Sequence, residues 1–499
     1  MSVMKREVEK WEGRDGFERY LQWLGEAHAH YEISVREVLH KNFTSIFNLL
    51  RPSFLWHLVQ LHPFESIYSR ASKYFWTERL RRVFTFGSMY MGMSPFDAPG
   101  TYSLLQYTEL AEGIWYPVGG FHTVVTALVR ICERLGVKIR LNSPVESVLT
   151  RPDGKTTTGV QLSSGEKLEA DLVVINADLV YAYNNLFPPT TSSNAYAKSL
   201  QKREGSCSSI SFYWALSQQI PELKTHNIFL ADEYRESFDA IFDRQSIPHE
   251  PSFYVNVPSR IDPTAAPEGK DSIVVLVPVG HLLNSSTSSK SHGDPKASSG
   301  AGLEEQDWPT IISSARRTIL STIESRTGCK PLSPLITHEN LNTPTSWEST
   351  FNLDKGSILG LSHSFFNVLA FRPKTKHPNI GGVYFVGAST HPGTGVPIVL
   401  AGAKITCEQI LQDRRIEIPW AGKQSVARDE GVVQRKGTSD IDRVKTGVAI
   451  LSDLGICILA LVVLVGTIAY INSGLVISWD PEMKRGWGSG RVEGLPIGH

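Results

Sequence analysis

The segment from Gly381 to Lys404, here called the closing segment, constrains the fold of this 499-residue chain more than any other stretch. Its apolar, β-rich start at Val383 to Val386 predicts a short buried strand. Small residues and a glycine-containing loop follow, and Pro397 is well placed to begin a helix. This order would direct backbone N–H groups and the positive end of a helix dipole at one spot. Such a spot favours an anion such as a pyrophosphate. A glycine-rich connection of an ordinary α/β protein explains the layout equally well.

The order of residues favours the first interpretation, because the closing segment resembles the C-terminal part of phytoene desaturases of the bacterial and fungal type. The resemblance rests on Gly382, Tyr384, Phe385, Gly387, Ala388, Ser389, Thr390, His391, Pro392, Gly393, Gly395, Val396 and Gly402. It implies a flavoenzyme that desaturates a carotenoid precursor and whose C-terminal stretch closes over the flavin of FAD. The cofactor-binding residues that it implies in this segment are Gly387, Ala388, Gly393, Thr394, Gly395, Val396 and Pro397.

Composition excludes some classes of function. The formal net charge is zero, so nothing indicates a nucleic-acid partner. The five cysteines are scattered without metal or disulfide spacing, which predicts a reducing, intracellular setting and no metal site. The N-terminus is charged and has no apolar core, so it is not a secretory signal.

Residues 1–115 are predicted to form a helical region that faces substrate or membrane. Apolar residues between Val35 and Leu50 recur at helical spacing, and Pro52 is expected to interrupt the helix. This face fits either a packed core or contact with lipid or a long apolar substrate. Aromatic and methionine side chains are dense between 84 and 115, which suits either a core or a wall for a polyene. Glu78 and Arg81 lie three residues apart, as an ion pair or as the polar end of such a pocket.

Residues 116–190 are predicted to be part of an FAD-binding domain. A glycine turn at 119–120 precedes an amphipathic helix, and strands are expected at Val137 to Leu141 and Val145 to Leu149. A hairpin around Ser163–Gly165 and a buried strand at Asp171 to Ile175 follow. This order resembles the middle of FAD-binding amine oxidases and desaturases, which implies that the backbone of Val145 meets the adenine.

Residues 191–360 are predicted to form a mixed α/β substrate-binding domain, and 361–412 return to the FAD-binding domain. Strands are expected near 207–215 and 272–278, and a helix is expected at 304–327. Residues 252–271 have the composition of connections. The polar, low-complexity residues 284–302 predict a flexible loop.

The character of the chain changes after residue 412. Residues 413–446 predict a charged linker, and 447–471 predict a transmembrane helix because 454–471 are free of charge. Residues 472–499 would form a tail. The sequence therefore predicts a membrane protein with a single C-terminal transmembrane helix and a main domain in the cytosol.

A dinucleotide-binding fold should begin with a strand, G-x-G-x-x-G and a helix. Gly488–Gly490 lie in a coil-like tail, and Gly393–Gly395 belong to the closing segment. We therefore expect an α/β (mixed α+β) flavoprotein fold of the amine-oxidase and desaturase type that is N-terminally truncated and carries a C-terminal transmembrane helix. A truncated gene product and a product that has lost its cofactor both explain this pattern.

The resemblance implies desaturation of phytoene toward lycopene or 3,4-didehydrolycopene, with hydride transfer to FAD and with NAD as an alternative electron acceptor. Glu78, Arg81 and His391 are the catalytic candidates, although His391 fits a turn-stabilising role equally well. The expected partners are phytoene, its desaturation intermediates, a lipid bilayer and a second copy of the chain. The alternatives are another flavin enzyme (a carotenoid isomerase, a retinol saturase-like enzyme or an amine oxidase) and an inactive membrane-anchored lipid-binding protein.

Overall fold

The computed structural model describes residues 1–188, 191–283 and 306–421, apart from the side chains of 52–53 and 191–194. All of these residues belong to one compact unit, Met1–Gln424. The predicted loop at 284–302 and the predicted transmembrane helix at 447–471 lie outside the described residues, as does most of the predicted linker. The predicted domain boundaries stay predictions.

The N-terminal part of the chain is helical, as its apolar spacing predicts. Its helices are α1 (Ser2–Glu12), α2 (Gly16–Ser34), α3 (Pro52–Leu61), α4 (Ile67–Ala71), α5 (Glu78–Thr85) and α6 (Leu104–Tyr107). Aromatic side chains fill the core between them: Phe75 and Phe84 are stacked with ring centroids 4.4 Å apart, and Trp23 is fully buried. A large part of the aromatic content of this region is therefore core.

The predicted helical face between Val35 and Leu50 is divided rather than continuous. A π-helical turn spans Val35–Leu39 and a 3-10 helix spans Ile46–Leu50, with Ser45 accepting a hydrogen bond from the backbone of Phe47 at 3.3 Å. Pro52 does not break a helix but begins α3. Its fixed φ suits a first helical turn, where its missing N–H is not needed.

The region after the glycine turn contains three helices, one small sheet and a further strand, β4, whose partner lies in the closing segment. Its elements are α7 (Phe121–Arg134), β1 (Val145–Thr150), β2 (Thr157–Leu162), β3 (Lys167–Glu169), β4 (Val173–Ile175), α8 (Leu179–Asn185) and α9 (Thr191–Gln201). Strands β1, β2 and β3 form an antiparallel sheet. The strand predicted at Val137 to Leu141 is not formed, because a strand needs a paired neighbour and none of the described strands runs beside it.

A five-stranded sheet dominates the middle of the chain. Its elements and the helices around it are β5 (Ser208–Leu216), β6 (His226–Phe229), α10 (Tyr234–Phe242), β7 (Phe253–Asn256), β8 (Ser272–Val279), α11 (Trp308–Thr327), β9 (Ile336–Asn342) and α12 (Pro344–Phe351). The strand order is β6-β7-β8-β5-β9 and every pairing is antiparallel. One face of the sheet packs against α11 in the largest core cluster, which includes Phe212, Val275 and Ile319.

Strands β5 and β8 and helix α11 lie where the sequence predicts them, whereas β6, β7 and β9 were not predicted. Strand β7 lies inside 252–271, which was interpreted as a connection. Its four residues pair with both β6 and β8, so neighbouring strands rather than local composition keep it extended.

The closing segment folds as predicted. It contains β10 (Val383–Phe385) and α13 (Val396–Asp413), joined by a loop. Strand β10 pairs in parallel with β4, with Phe385 opposite Ile175. This parallel pair brings the ends of two distant chain segments to the same edge.

The prediction of membrane localisation through a single transmembrane helix is corrected. Helices α11 and α13 contain 20 and 18 residues, but no helix in 1–188, 191–283 or 306–421 combines enough length with enough apolar character to cross a bilayer.

Candidate functional site

The candidate site lies at the carboxyl ends of β4 and β10. The backbone N–H of Val386 donates to the carbonyl of Ile175 at 3.0 Å, which extends the parallel pairing by one step. Beyond it, Ser389 donates from its hydroxyl to Asp178 at 3.5 Å. Burial raises the pKa of Asp178 to about 6, although the carboxylate also accepts the backbone N–H of Tyr181. The loops after the two strands are therefore tied together.

Arg372 holds the loop after β10 against the segment that precedes the strand. Its guanidinium is buried and donates to the carbonyls of Ser362, Asn367, Thr390 and Ala388, at 3.0, 2.7 and 2.9 Å for the first three. Burial lowers its pKa to about 10. Since all of these acceptors are neutral carbonyls, the arginine fixes the course of two backbone segments.

His363 binds the backbone of the glycine loop. Its ring is buried, and its Nε2 accepts the backbone N–H of Thr394 at 3.1 Å. A Cβ atom on Gly393 would lie 2.5 Å from the same Nε2, so only glycine permits this approach. The Nδ1 atom is buried and has no hydrogen-bond partner in the described residues. Burial holds the pKa of His363 well below its usual value, which keeps the ring neutral.

The N-terminus of α13 lies directly after this loop and has no side-chain cap. The residue before the helix is Gly395, which has a φ of 106° and offers no capping atom. A Cβ on Gly395 would meet only Ile398 of the same helix, at 3.4 Å, so the space in front of the first turn is open. Val396 is 53% exposed. The first N–H groups of α13 are therefore available to a ligand.

The structure brings the predicted cofactor-binding residues of the closing segment together at this edge. Five of them, Gly387, Ala388, Gly393, Thr394 and Gly395, lie between the end of β10 and the start of α13, and Val396 and Pro397 lie in the first turn of α13. Val145 begins β1, opposite Leu162, and is 37% exposed. Its contact with an adenine stays a prediction.

The catalytic candidates are not brought together. Glu78 pairs with Arg82 at 3.2 Å and accepts from Tyr68, so the predicted ion pair with Arg81 is not formed. Arg81 instead donates to the carbonyls of Phe75 at 2.8 Å and Trp76. Helix geometry explains the difference, because residues four apart also share a face and Arg82 competes for the carboxylate.

His391 is buried and faces the helical region. Its Nε2–H donates to the carbonyl of Lys41 at 2.8 Å, and its ring meets Phe43 edge to face. Burial lowers the pKa of His391 to about 4. In this position the ring ties the loop to the turn after the first π-helical segment, and a catalytic role stays a prediction.

An apolar cavity of about 280 Å³ lies among the N-terminal helices. Its wall is formed mainly by apolar and aromatic side chains, including Val8, Phe84 and Tyr90, together with Gln106 and Glu109. Burial raises the pKa of Glu109. Glu109 could not be recognised from the sequence, because a single glutamate in a helical segment carries no pattern of its own.

Comparison with known proteins agrees with this architecture. A family model for flavin containing amine oxidoreductases matches residues 17–288. The chain is 60% identical to a phytoene desaturase of Cercospora nicotianae over 476 aligned residues, which cover 86% of this chain and 76% of that protein. It is 58% identical to a phytoene desaturase of Neurospora crassa, covering 88% of this chain and 74% of the relative.

A third relative, the phytoene desaturase of Fusarium fujikuroi, is 62% identical over 426 residues, which cover 84% of this chain and 74% of the relative. None of these matches tests the predicted N-terminal truncation, which stays a prediction. At such identity over most of both chains, the resemblance noted in the closing segment extends to nearly the whole described molecule. The chain belongs to the phytoene desaturase family of the flavin-containing amine oxidoreductases.

Proposed function

We propose that this chain is an FAD-dependent oxidoreductase that desaturates phytoene in carotenoid biosynthesis. The observation that carries the proposal is the open, uncapped N-terminus of α13 directly after the glycine loop, in a chain that is 60% identical to a phytoene desaturase. The family match makes the cofactor FAD.

The residues present fit a bound flavin nucleotide. The first turn of α13 offers backbone N–H donors and the positive end of an 18-residue helix dipole to an anionic or polar group. A Cβ atom on Gly395 would meet only Ile398, and Val396 next to it presents an exposed apolar side chain. Arg372 and His363 hold this loop rigidly from the protein side. A preformed cradle of this kind reduces the entropy lost when a ligand binds.

When bound, FAD supplies the hydride acceptor for the removal of two hydrogens from a C–C bond of the substrate. The protein has to bind an apolar chain, orient it and exclude water. The cavity near Phe84 and Tyr90 has the apolar wall that such a chain requires, and its volume of about 280 Å³ suits one part of a long polyene.

Each desaturation also releases a proton, and Glu109 is the proposed acceptor. It lies in the wall of the apolar cavity, where burial raises its pKa. A carboxylate with a raised pKa accepts a proton more readily than an exposed one. Glu7, the other carboxylate of this wall, is 55% exposed at its side chain. We therefore assign the role to Glu109 rather than to Glu7.

The proposal is tested with the purified chain loaded with FAD and incubated with phytoene in mild detergent. Product analysis by chromatography and absorption spectroscopy should show longer conjugated chains that accumulate with time. Intact phytoene in the presence of bound, oxidised flavin would contradict the proposal. An amine substrate should give no turnover.

A further inference from the structure

A second cavity, of about 610 Å³, lies between α8, residues 366–378 and α13. Its wall includes Tyr183, Arg203, Phe371, Lys374 and His377. It includes no residue of the loop between β10 and α13 and none of the first three turns of α13. The cavity is therefore distinct from the proposed flavin site.

Two cations in this wall are not compensated by carboxylates. Arg203 donates one N–H to the carbonyl of Phe371 at 2.8 Å. The ammonium group of Lys374 donates to the carbonyls of Phe43 and Ala370, at 2.8 and 2.5 Å. Neither Arg203 nor Lys374 takes part in an ion pair between described residues.

A third cation in this wall, Lys376, already has a carboxylate partner. It also lines the cavity, but its ammonium group forms an ion pair with Asp413 at 2.8 Å. The charge of Lys376 is therefore already balanced, and it provides a natural control within the same wall.

The positive charges act on one another. Burial, together with the nearby guanidinium of Arg203, lowers the pKa of Lys374 to about 8. Arg203 also adds to the burial effect that lowers the pKa of Arg372, which lines the same cavity. Positive groups that are confined in this way repel one another, and an anion among them would relieve that repulsion.

The rest of the wall is largely apolar and aromatic. The rings of Tyr183 and His377 are stacked with centroids 5.4 Å apart, and Phe371 adds a third ring. Burial lowers the pKa of His377 to about 4, so its imidazole is neutral near pH 7. Cationic donors and flat apolar surfaces in one cavity wall suit a ligand with an anionic head and an apolar group.

We propose that this cavity binds a small diphosphate ester, with phosphoryl oxygens on Arg203 and Lys374 and the esterified group against Tyr183 and Phe371. The guanidinium of Arg203 retains N–H donors beyond the one used by Phe371, and a planar fork of donors matches phosphoryl oxygens. Lys374 adds a point charge beside it. The esterified group is either a nucleoside or an alkyl chain, and both present a flat or apolar surface to the aromatic wall.

The test is isothermal titration of the FAD-loaded protein with inorganic pyrophosphate, a short-chain alkyl diphosphate and ADP. Loading with FAD keeps the flavin site filled, so ADP reports on the second cavity alone. At least one ester should bind saturably at one site and more tightly than pyrophosphate. A preference for ADP identifies a nucleoside ligand, and a preference for the alkyl diphosphate identifies an apolar chain.

The variants Arg203→Gln and Lys374→Gln should each weaken this binding about tenfold, because a hydrogen bond to a charged group is lost. Lys376→Gln is the matched control and should change the affinity less than twofold. Lys374→Arg keeps the charge and should retain most of the binding. Arg203→Lys keeps the charge but loses the fork of donors, so its affinity should lie between those of Arg203→Gln and the wild type, which excludes general misfolding as the cause. Absence of saturable binding, or an equal loss in Lys376→Gln, would overturn the proposal.

Discussion

The Nε2 atom of His363 lies 3.1 Å from the backbone nitrogen of Thr394 and accepts its hydrogen bond. The two residues are separated by 31 positions in the sequence. The contact fixes the glycine loop immediately before the open N-terminus of α13. His363 therefore acts on the proposed flavin site through the backbone of the loop.

Replacing His363 tests this relationship. His363→Phe keeps a flat ring but removes the acceptor, which leaves the N–H of Thr394 buried without a partner at a cost of about 1–3 kcal/mol. We expect flavin affinity to fall about tenfold in a fluorescence titration with FAD, because the loop loses its fixed course. His363→Gln retains an acceptor and should bind FAD more tightly than His363→Phe. Equal affinity of both variants and the wild type would contradict this role.

Arg372 should contribute mainly to stability. Arg372→Met leaves the carbonyls of Asn367, Thr390 and their neighbours without donors, and we expect the free energy of unfolding to fall by about 3 kcal/mol or more. Arg372→Lys keeps the charge and fewer donors, so its loss should be smaller. Urea unfolding followed by circular dichroism measures both values. A methionine variant as stable as the wild type would show that the carbonyl contacts contribute nothing.

Stability should fall as pH decreases from about 6.5 towards 4. Burial lowers the pKa values of His30, His377 and His391 to about 4 in the folded protein, below the usual value of 6.5. The unfolded chain therefore binds more protons in this window, and protonation favours unfolding. Stabilisation by these histidines is complete above about 6.5 and is lost as pH falls through the folded pKa.

Asp178 opposes this trend, because its pKa is raised to about 6 in the folded state and its protonation favours folding between about 4 and 6. Burial also raises the pKa of Glu109, which acts in the same direction, but three histidines outweigh these two carboxyl groups, so the net slope stays positive. Thermal unfolding at several pH values checks the prediction. Asp178→Asn should make the decline towards low pH steeper, and a melting temperature that rises as pH falls from 6.5 would refute this role of the histidines.

Glu109 should affect turnover rather than folding. Glu109→Gln removes the proposed proton acceptor, and we expect kcat with phytoene to fall about a hundredfold while the flavin remains bound. Glu7→Gln changes the exposed carboxylate of the same cavity wall and should leave kcat near the wild-type value. Initial rates of product formation measure both variants. Equal rates in the wild type and Glu109→Gln would remove this residue from the mechanism.

The sequence predicts the closing segment well because its information is local. Val383–Phe385, the glycine loop and the start of α13 follow from residue types that favour a strand, a turn and a first helical turn. The same holds for strands β5 and β8, whose apolar runs are long. The prediction of FAD as the cofactor came from the resemblance of the loop residues to those of phytoene desaturases.

The two side chains that hold the glycine loop in place could not be predicted from the sequence. Arg372 binds backbone carbonyls, which every residue possesses, and His363 binds a backbone N–H that lies 31 residues away. Neither contact leaves a pattern in a single sequence. The strand predicted at Val137 to Leu141 failed for the opposite reason, since its composition favours a strand but no described neighbour pairs with it.

In the proposed function, this chain holds FAD at the open N-terminus of α13 and uses it to oxidise phytoene. The most direct measurement is the absorption spectrum of the FAD-loaded protein after anaerobic addition of phytoene. We predict that the oxidised flavin band bleaches as conjugated product appears, and that Gly395→Val, whose side chain occupies the space before α13, retains no flavin after gel filtration. A flavin band that persists unchanged with phytoene present, or a Gly395→Val variant with full flavin occupancy, would contradict this function.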